Sequence, residues 1–598
     1  MTSIVTRLYT GIDRALAGVL ASVLAALLVL VFGATLLRYI FATSFVATED
    51  LGILLHTVLV FLGLPLCANG PLAMRIDVVT RHLGRRGRVF ADAISDAITL
   101  AGALVLMFGA AKVAALIGGT SPTLGIPESW RFWPVVIGGA LAAGQVVLGC
   151  LSKGRTRLFV LAVIAGGTIL AGLPHLPVLV ATDLPSLVAC VVVCIALLAG
   201  APFVHSLIVG LAVSVPFGAR LPEAAIVQQT VSGMGKFLLL AIPFFLLAGM
   251  LMNVGGLAHR LVRFASTLVG HRRGGMAQAT LVTNLIFSGV SGSSIADAAF
   301  GGKVLTPALI ADGVRPEKAA AIVAATAVLP NIVPPSIAFL LLASVTNLSV
   351  GALFEGGLVA GLILAAAMAV MLHISADSPA RPSANRRERF IAFGAAAPVF
   401  GLALVVFFGI RLGLATPTEA AAIASVYALA AALTGSAGRG VALAAFLQAG
   451  RETAAIGLLV ASSAPLVFLL AIDGLPQALA GRVTSFGGNP LAVMFIANVI
   501  LIAVGGPLDV GPGILLFAPL LLPSAVAAGI DPVAFGVILT VNLMIGGVTP
   551  PVGVLVFVAA GTTGLSASRV FRAVFPLTLT LIAATSAMAI VVALWALP

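Results

Sequence analysis

Long runs without charged residues restrict how this chain can fold more than any other feature. Residues 16–37 and 390–410 contain no charged side chain, and each run is long enough to cross a hydrocarbon core of about 30 Å, which takes roughly 20 helical residues. The runs lack the alternation of apolar and polar residues that is typical of a barrel strand, and in lipid the backbone must satisfy its own hydrogen bonds. The sequence therefore predicts an all-α polytopic integral membrane protein.

The composition agrees with this fold class. Of 598 residues, 61% are hydrophobic and 9% are charged, whereas soluble domains carry about 25% charged residues. The formal net charge is +12, but the basic residues lie in short loops between apolar runs, so they indicate membrane orientation and not nucleic-acid binding. Cysteines in apolar stretches are interpreted as packing residues and not as disulfides or metal ligands. They are Cys67, Cys150, Cys190 and Cys194.

Basic loops predict the organisation of the chain. Arg7 and Arg14 place the start in the cytoplasm, and the arginine-rich loop 75–88 and the basic segment 153–157 return to the same side. Four spans fit between these loops. The prediction is a four-helix domain at 1–155, a linker helix at 156–180 and a large permease domain at 181–598.

The large domain contains an internal repeat. Residues 289–335 align with residues 505–551 without a gap, at a constant offset of 550 − 334 = 216. Proline and glycine determine where a helix breaks and where backbones approach closely, so their registration predicts two copies of one broken-helix design. The matched pairs are Gly289 and Gly505, Pro307 and Pro523, Gly313 and Gly529, Pro316 and Pro532, and Pro334-Pro335 and Pro550-Pro551.

Charge around the two copies predicts that they are inverted. The first copy is preceded by Arg260, Arg263 and further basic residues, and it carries Arg315 in its internal loop. The counterpart of Arg315 in the second copy is Asp531. By the positive-inside rule, these loops face opposite sides of the membrane.

Each copy contains two interruptions in apolar sequence. We interpret the segments near 288–294 and 505–509 as tips of re-entrant hairpins, and 329–336 and 546–551 as unwound stretches of helices. Unwinding frees carbonyl groups, and carbonyl and hydroxyl oxygens are ligands for hard cations. The candidate cation ligands are Ser291, Gly292, Ser293, Asn331, Val333, Pro334, Gly505, Asp509, Gly546, Gly547, Thr549 and Pro550. The candidate substrate contacts are Ser293, Ser294, Asn331, Asp509 and Thr549.

Asp509 falls opposite Ser293 at the offset of 509 − 293 = 216. An intramembrane carboxylate is costly, so a functional role is expected, here as a cation ligand or a partner of one. The alternative is an Asp that caps a half-helix. For Asp297 and Lys303 we favour structural pairing or a helix-end role, and for Glu419 a place in the first turn of a helix.

The sequence contains no Walker loop, no paired metal-ligand spacing and no nucleophile with a plausible base. Neither an enzyme nor an ATPase subunit is therefore expected. His56 and His205 are interpreted as packed or hydrogen-bonded histidines and not as ligands.

The motifs in the large domain resemble those of the tripartite ATP-independent periplasmic (TRAP) transporters. The signature-like segments are 244–249, 289–298, 333–336, 416–420 and 548–553. The first 155 residues resemble the small membrane subunit of that family, with Arg38, Tyr39, Glu49 and the segment 61–63 in familiar places. The chain thus looks like a fusion of the small and large membrane subunits.

This resemblance implies a sodium-coupled importer in the bacterial inner membrane, surrounded by membrane lipids, that receives an organic acid from a separate periplasmic substrate-binding protein. It also implies an elevator motion and Na⁺ as the coupling ion. Dicarboxylates, sialic acid and other carboxylates are all handled by the family. The open alternative is a divalent-anion/sodium symporter that works without a binding protein, against which the additional N-terminal four-helix domain argues.

We predict that the two termini face opposite sides of the membrane, with the N-terminus in the cytoplasm and the tail after Trp595 in the periplasm. The reason is that the inverted copies require an odd number of crossings between them. Fusions of a cytoplasm-active and a periplasm-active reporter to each end check this. Cytoplasmic reporter activity at both ends would contradict it.

Overall fold

The fold was analysed in a computed structural model that describes residues 2–68, 71–75, 80, 83–152, 158–160, 162–164, 167, 184–376, 382–434, 439–485 and 488–597. Within these residues the secondary structure is helical, apart from one isolated β-bridge between Thr120 and Pro127. Nine of the described helices are long and apolar enough to cross a membrane. The predicted all-α polytopic fold is confirmed. Most of the predicted linker helix at 156–180 lies outside the described residues, and the predicted domain boundaries stay predictions.

The helices before the first hairpin are α1 (Thr2–Ile40), α2 (Thr48–Leu62), α3 (Arg85–Leu116), α4 (Trp133–Ser152), α5 (Pro185–Leu198), α6 (Phe203–Ser214), α7 (Glu223–Ser232), α8 (Ala241–Val254) and α9 (Leu257–Val269). The first copy of the repeat continues with α10 (Gly275–Ser291), α11 (Ser294–Ala311), α12 (Pro316–Thr326), α13 (Ile337–Thr346) and α14 (Val350–Ile374). Three helices connect the copies: α15 (Arg386–Arg411), α16 (Pro417–Thr434) and α17 (Arg439–Ile472). The second copy comprises α18 (Leu475–Ser485), α19 (Pro490–Gly505), α20 (Val510–Ala527), α21 (Pro532–Gly546), α22 (Val554–Thr563) and α23 (Ala567–Trp595).

The chain forms two compact units. Unit 1 comprises Met1–Pro243 and Phe446–Leu475, and unit 2 comprises Phe244–Ala445 and Pro476–Pro598. Unit 1 therefore joins the four helices α1 to α4 with α5 to α7 and most of α17. Unit 2 contains both copies of the repeat.

Small residues let the helices of unit 1 approach one another closely. A Cβ atom built on Gly138 of α4 would lie 2.0 Å from the carbonyl oxygen of Phe61 in α2, and one built on Gly63 would lie 2.2 Å from Cβ of Ala454 in α17. A buried hydrogen bond of 3.0 Å from Ser95 Oγ to the carbonyl oxygen of Gly200 ties α3 to the loop before α6. Lipid provides no hydrophobic driving force for the association of helices. Close packing and interhelical hydrogen bonds therefore hold membrane helices together.

The helix boundaries of unit 2 repeat at the predicted offset. Helix α11 starts at Ser294 and α20 at Val510, and their ends at Ala311 and Ala527 keep the same spacing, since 294 + 216 = 510 and 311 + 216 = 527. Between the hairpins the chain passes through the broken helix α12/α13 and then α14, α15, α16 and α17. The predicted inversion of the second copy requires an odd number of crossings here, and it stays a prediction.

We expect Gly138→Ala to destabilise the protein by about 1–3 kcal/mol, because the added methyl group overlaps the backbone of α2. The matched control is Gly144→Ala on the same helix, where a Cβ atom meets nothing within 4 Å. Thermal unfolding in detergent measures both variants. The control is expected to unfold at or slightly above the wild-type temperature, since alanine favours a helix. Equal midpoints for the two variants would contradict the close contact.

Candidate functional site

The first hairpin tip lies between α10 and α11. Gly292 has a φ of +59°, in the left-handed region that favours glycine, and this residue ends α10. Ser293 follows in an extended conformation as the N-cap of α11, and its Oγ accepts a hydrogen bond of 3.4 Å from the backbone N–H of Ala296. The side chain of Ser291 lies outside the described residues.

The first broken helix unwinds between α12 and α13. A short 3₁₀ turn, Leu329–Asn331, precedes the Pro334-Pro335 bond, which is cis. Ser336 caps α13 by accepting a hydrogen bond of 3.3 Å from the Phe339 N–H, and it donates one of 2.5 Å to the carbonyl oxygen of Asn331. These bonds fix the course of the unwound, fully buried stretch.

Tip and break of the first copy lie side by side. A Cβ atom built on Gly289 would lie 3.6 Å from the carbonyl oxygen of Pro334, and one on Gly292 would lie 3.8 Å from that of Pro335. The tip residues Gly289 and Gly292 therefore lie against the Pro334-Pro335 segment of the break. Contact between the tip and the break is what a re-entrant hairpin beside an interrupted helix requires.

The second copy has the same arrangement with tighter backbone contact. Helix α19 ends at Gly505 and α21 at Gly546, and a Cβ atom on Gly546 would lie 2.4 Å from the carbonyl carbon of Gly505. Only glycine fits at such an approach. The Pro550-Pro551 bond is cis, as in the first copy.

Asp509 occupies the N-cap of α20, as Ser293 does in α11. Its Oδ1 accepts a hydrogen bond of 2.9 Å from the backbone N–H of Val510. Asp509 therefore caps a half-helix, which was the alternative interpretation from the sequence. The second carboxylate oxygen leaves room for another partner, so capping and cation binding are compatible roles for this side chain.

Elements of the two copies meet at a small cavity in unit 2. Ser294 from the first tip and Asp509 from the second line it together with residues of α19, α21 and α22. Ser294 is 3% exposed, and its Oγ has no hydrogen-bond partner among the described residues. Nearby, the Asn331 amide donates to the sulfur of Met544 at 3.5 Å.

The size of this cavity determines what it can hold. Its volume is about 10 Å³, close to the lower limit of about 10–15 Å³ for one water molecule. Sites for small organic molecules are typically about 300–1,000 Å³. The cavity is thus far too small for an organic acid, and Asp509 and Ser294 are among the residues that line it.

Two buried polar pairs were not predicted from the sequence. Asn284 Nδ2 donates to Thr326 Oγ1 at 2.7 Å in the first copy, and Asn542 Nδ2 donates to Asn498 Oδ1 in the second. Each pair links the first arm of a hairpin to the helix that precedes the break. Thr326 and Asn542 are themselves related by the offset, since 326 + 216 = 542, and this registration of polar residues in apolar helices is a signal that could have revealed them.

The other predicted ligands occupy different surroundings. Thr549 Oγ1 donates to the carbonyl oxygen of Ile545 at 2.8 Å, within its own turn. Pro550 is exposed, whereas Asn331, Val333 and Pro334 are buried. Gly547 lines the small cavity with Asp509.

The residues for which we predicted a structural role differ in position and exposure. Asp297 is buried in the first turn of α11, and Lys303 is exposed. Glu419 lies in the first turn of α16, where its Oε2 accepts hydrogen bonds from Thr416 N at 2.8 Å and Thr416 Oγ1 at 2.9 Å. His56 and His205 are buried in unit 1. None of the four cysteines, all of which are described, forms a disulfide bond.

Two hairpins, each placed against a broken helix of its own copy, define a membrane transporter of the inverted-repeat class. Comparison with known proteins agrees. Residues 187–594 match the family model described as tripartite ATP-independent periplasmic transporter, DctM component. Residues 27–152 match the model of the DctQ component of the same transporters.

The chain is also similar to several TRAP transporter large permease proteins from other bacteria. The chain is 37% identical over 349 residues to the C4-dicarboxylate TRAP transporter large permease protein of Pseudomonas aeruginosa, a match that covers 57% of this chain and 81% of the relative. It is 35% identical over 357 residues to the sialic acid TRAP transporter large permease protein of Vibrio cholerae, covering 58% and 83%. It is 33% identical over 361 residues to the 2,3-diketo-L-gulonate TRAP transporter large permease protein of Escherichia coli, covering 59% and 84%.

The chain belongs to the TRAP transporter family and carries regions of both membrane components in one polypeptide. It is a multi-pass transporter of the bacterial inner membrane and not an enzyme. The family consists of permeases for the uptake of organic acids.

Proposed function

We propose that this protein imports an organic acid, delivered by a periplasmic substrate-binding protein, and couples uptake to the entry of Na⁺. The observation that carries the proposal is the duplicated tip and break, with a cation-sized cavity between Ser294 and Asp509. A hard cation prefers oxygen ligands, and unwound backbone supplies carbonyls next to the carboxylate and hydroxyl groups.

Cation binding at this place gives a physical route to coupling. Without a cation, the Asp509 carboxylate remains an isolated charge inside the membrane protein, which is costly. A bound Na⁺ would neutralise it and draw the residues of both tips together. The tips, with Ser293, Asn331 and Thr549 near them, then form the expected surface for the substrate, because the cavity itself is too small to hold one.

An organic acid is the substrate class that fits the relatives. Their names specify C4-dicarboxylates, sialic acid and 2,3-diketo-L-gulonate, and all of these carry a carboxylate. We infer the same class here. Half-helix N-termini at the tips, those of α11 and α20, present positive dipole ends that favour such an anion.

An elevator motion is supported by the division of the chain into units. Unit 2 contains both hairpins and both broken helices, whereas unit 1 combines the DctQ-like helices with α5 to α7 and part of α17. We propose that unit 2 carries the cation and the substrate across the membrane and that unit 1 is the scaffold. The DctQ-like region also favours a TRAP mechanism over a stand-alone symporter, because that region has no part in the repeat.

Uptake by proteoliposomes tests the proposal. The full chain is reconstituted without ATP, and a radiolabelled organic acid is supplied with or without a purified candidate periplasmic substrate-binding protein. We expect accumulation only when the binding protein and an inward Na⁺ gradient are both present. Undiminished uptake without Na⁺ would overturn sodium coupling, and undiminished uptake without the binding protein would favour the stand-alone symporter.

Asp509→Asn is expected to raise the Na⁺ concentration for half-maximal uptake about ten- to hundredfold, since losing a charged ligand from a partly desolvated site costs roughly 1.5–3 kcal/mol. Asn keeps the size and one acceptor oxygen, so expression and detergent stability should be retained. Ser293→Ala should have a smaller effect, because backbone carbonyls remain.

The matched control is Asp531→Asn. Asp531 is also an aspartate at a helix N-cap, where its Oδ1 accepts a hydrogen bond of 2.8 Å from Ala534 N, but it is exposed and far along the chain from the tip. Its replacement should leave the Na⁺ dependence unchanged. Equal Na⁺ dependence in Asp509→Asn and wild-type protein would show that Asp509 acts only as a cap.

A further inference from the structure

Helix α19, the first arm of the second hairpin, contains one residue with a polar side chain, Asn498. Asn498 is buried, and its Oδ1 accepts a hydrogen bond from Nδ2 of the buried Asn542 in α21. The other polar side chain of α21, Thr540, donates at 3.0 Å to the carbonyl oxygen of Gly536 in its own helix. The asparagine pair is therefore the only hydrogen bond between side chains of α19 and α21, two helices that the structure describes in full.

The other contacts of α19 leave its axial position along α21, its register, weakly determined. Phe495 and Val499 are 69% and 54% exposed, so one face of α19 lies at the surface. The helix also packs along α21, through side chains that are apolar apart from the asparagines. Contacts between apolar side chains have little directional preference. A single buried asparagine fixes the register of coiled coils, because a shift would leave its amide unpaired.

The register of α19 affects the small cavity directly. Leu543 and Gly547, which follow Asn542 in α21 and the turn after it, line the cavity from one side. Gly505 at the end of α19 and Asp509 at the tip also line it. A shift of α19 by one residue would move its end by about 1.5 Å along the helix axis. Such a shift would displace the Asp509 carboxylate relative to the groups of α21.

We propose that Asn498 and Asn542 are positioning residues for the cation site. Neither of them lines the cavity, so they act through the register of α19, which holds Asp509 opposite α21. The effect on Na⁺ affinity rests on the proposed function, whereas the effect on the register does not. The pair thus has a role in transport beyond its contribution to stability.

The first copy has a comparable link at the corresponding place. Thr326 is related to Asn542 by the offset, and its Oγ1 accepts a hydrogen bond of 2.7 Å from Asn284 in α10. The partner on the arm differs, because the offset relates Asn498 to Val282, since 498 − 216 = 282. Both copies therefore place a polar link before the break with different residues on the arm. This recurrence supports a role for the link in the hairpin design.

The double variant Asn498→Leu/Asn542→Leu separates positioning from stability. Leucine resembles asparagine in shape, and replacing both partners of a buried hydrogen bond by apolar groups is nearly neutral for stability. We therefore expect an unfolding temperature in detergent close to that of the wild type. In K⁺ without Na⁺, amide hydrogen exchange at residues 505–509 should be about threefold faster, because α19 adopts more than one register. The Na⁺ concentration for half-maximal thermal stabilisation should rise about fivefold, the effect of roughly one interhelical hydrogen bond.

The matched control is Thr540→Val. Thr540 is also buried in α21, but its hydroxyl bonds within its own helix, so neither the exchange nor the Na⁺ dependence should change. Asn542→Thr gives α21 the residue type of the first copy, and its hydroxyl can accept from the Asn498 amide. This variant should stay within about twofold of the wild type in Na⁺ dependence. If the double variant does not fold, Asn542→Val, which has the shape of threonine without the hydroxyl, replaces it in both measurements.

Two results would overturn the proposal. Unchanged exchange at residues 505–509 would show that the pair does not fix the register of α19. Faster exchange with an unchanged Na⁺ concentration would show that the register does not position the cation site. A wild-type protein that Na⁺ stabilises no more than K⁺ does would instead contradict the proposed sodium coupling, and the exchange rates would then decide the role of the pair in the register.

Discussion

Non-helical backbone inside a membrane must be covered by protein or by water, because lipid offers no hydrogen-bond partner. The structure meets this constraint in both copies by placing a hairpin tip against the break of a helix. The approach is close enough in the second copy that Gly505 and Gly546 leave no space for a side chain between them. The polar pairs Asn284–Thr326 and Asn498–Asn542 hold the arms at the required distance. This packing gathers the unwound carbonyls, which lipid could not satisfy, in one protein interior, as the proposed cation site requires.

The two copies share this design without being chemically equal. At corresponding positions the first has Ser293 and the second Asp509, and both residues cap the second arm of a hairpin. The first break is buried, whereas the second exposes its prolines. At the capping position, the first copy therefore has a neutral hydroxyl and the second has a carboxylate. This difference favours an asymmetric function for the two tips within one symmetric architecture.

The chain divides into unit 2, which contains both copies of the repeat, and unit 1, which contains neither. Unit 1 is joined through small residues, such as Gly63 and Gly138, that bring helix backbones together. It unites DctQ-like helices with segments of the DctM-like region in one compact body. Unit 2 keeps every candidate cation ligand. A transport cycle that moves one unit and holds the other needs such a division, and fusing the two components places both in a single chain.

The sequence by itself determined the class of the fold and the places of the interruptions. Apolar length dictates helices in lipid, and the registered prolines and glycines mark both breaks at an offset of 216, which the boundaries of α11 and α20 follow. What it could not show was which atoms meet. The cavity shared by Ser294 and Asp509 depends on residues 215 positions apart, since 509 − 294 = 215, and the polar pair of Asn284 and Thr326 joins two helices that the pattern treats as apolar. Contacts between distant segments arise from helix packing, so only the tertiary structure decided that residues of both copies line one cavity and that this cavity is too small for an organic acid.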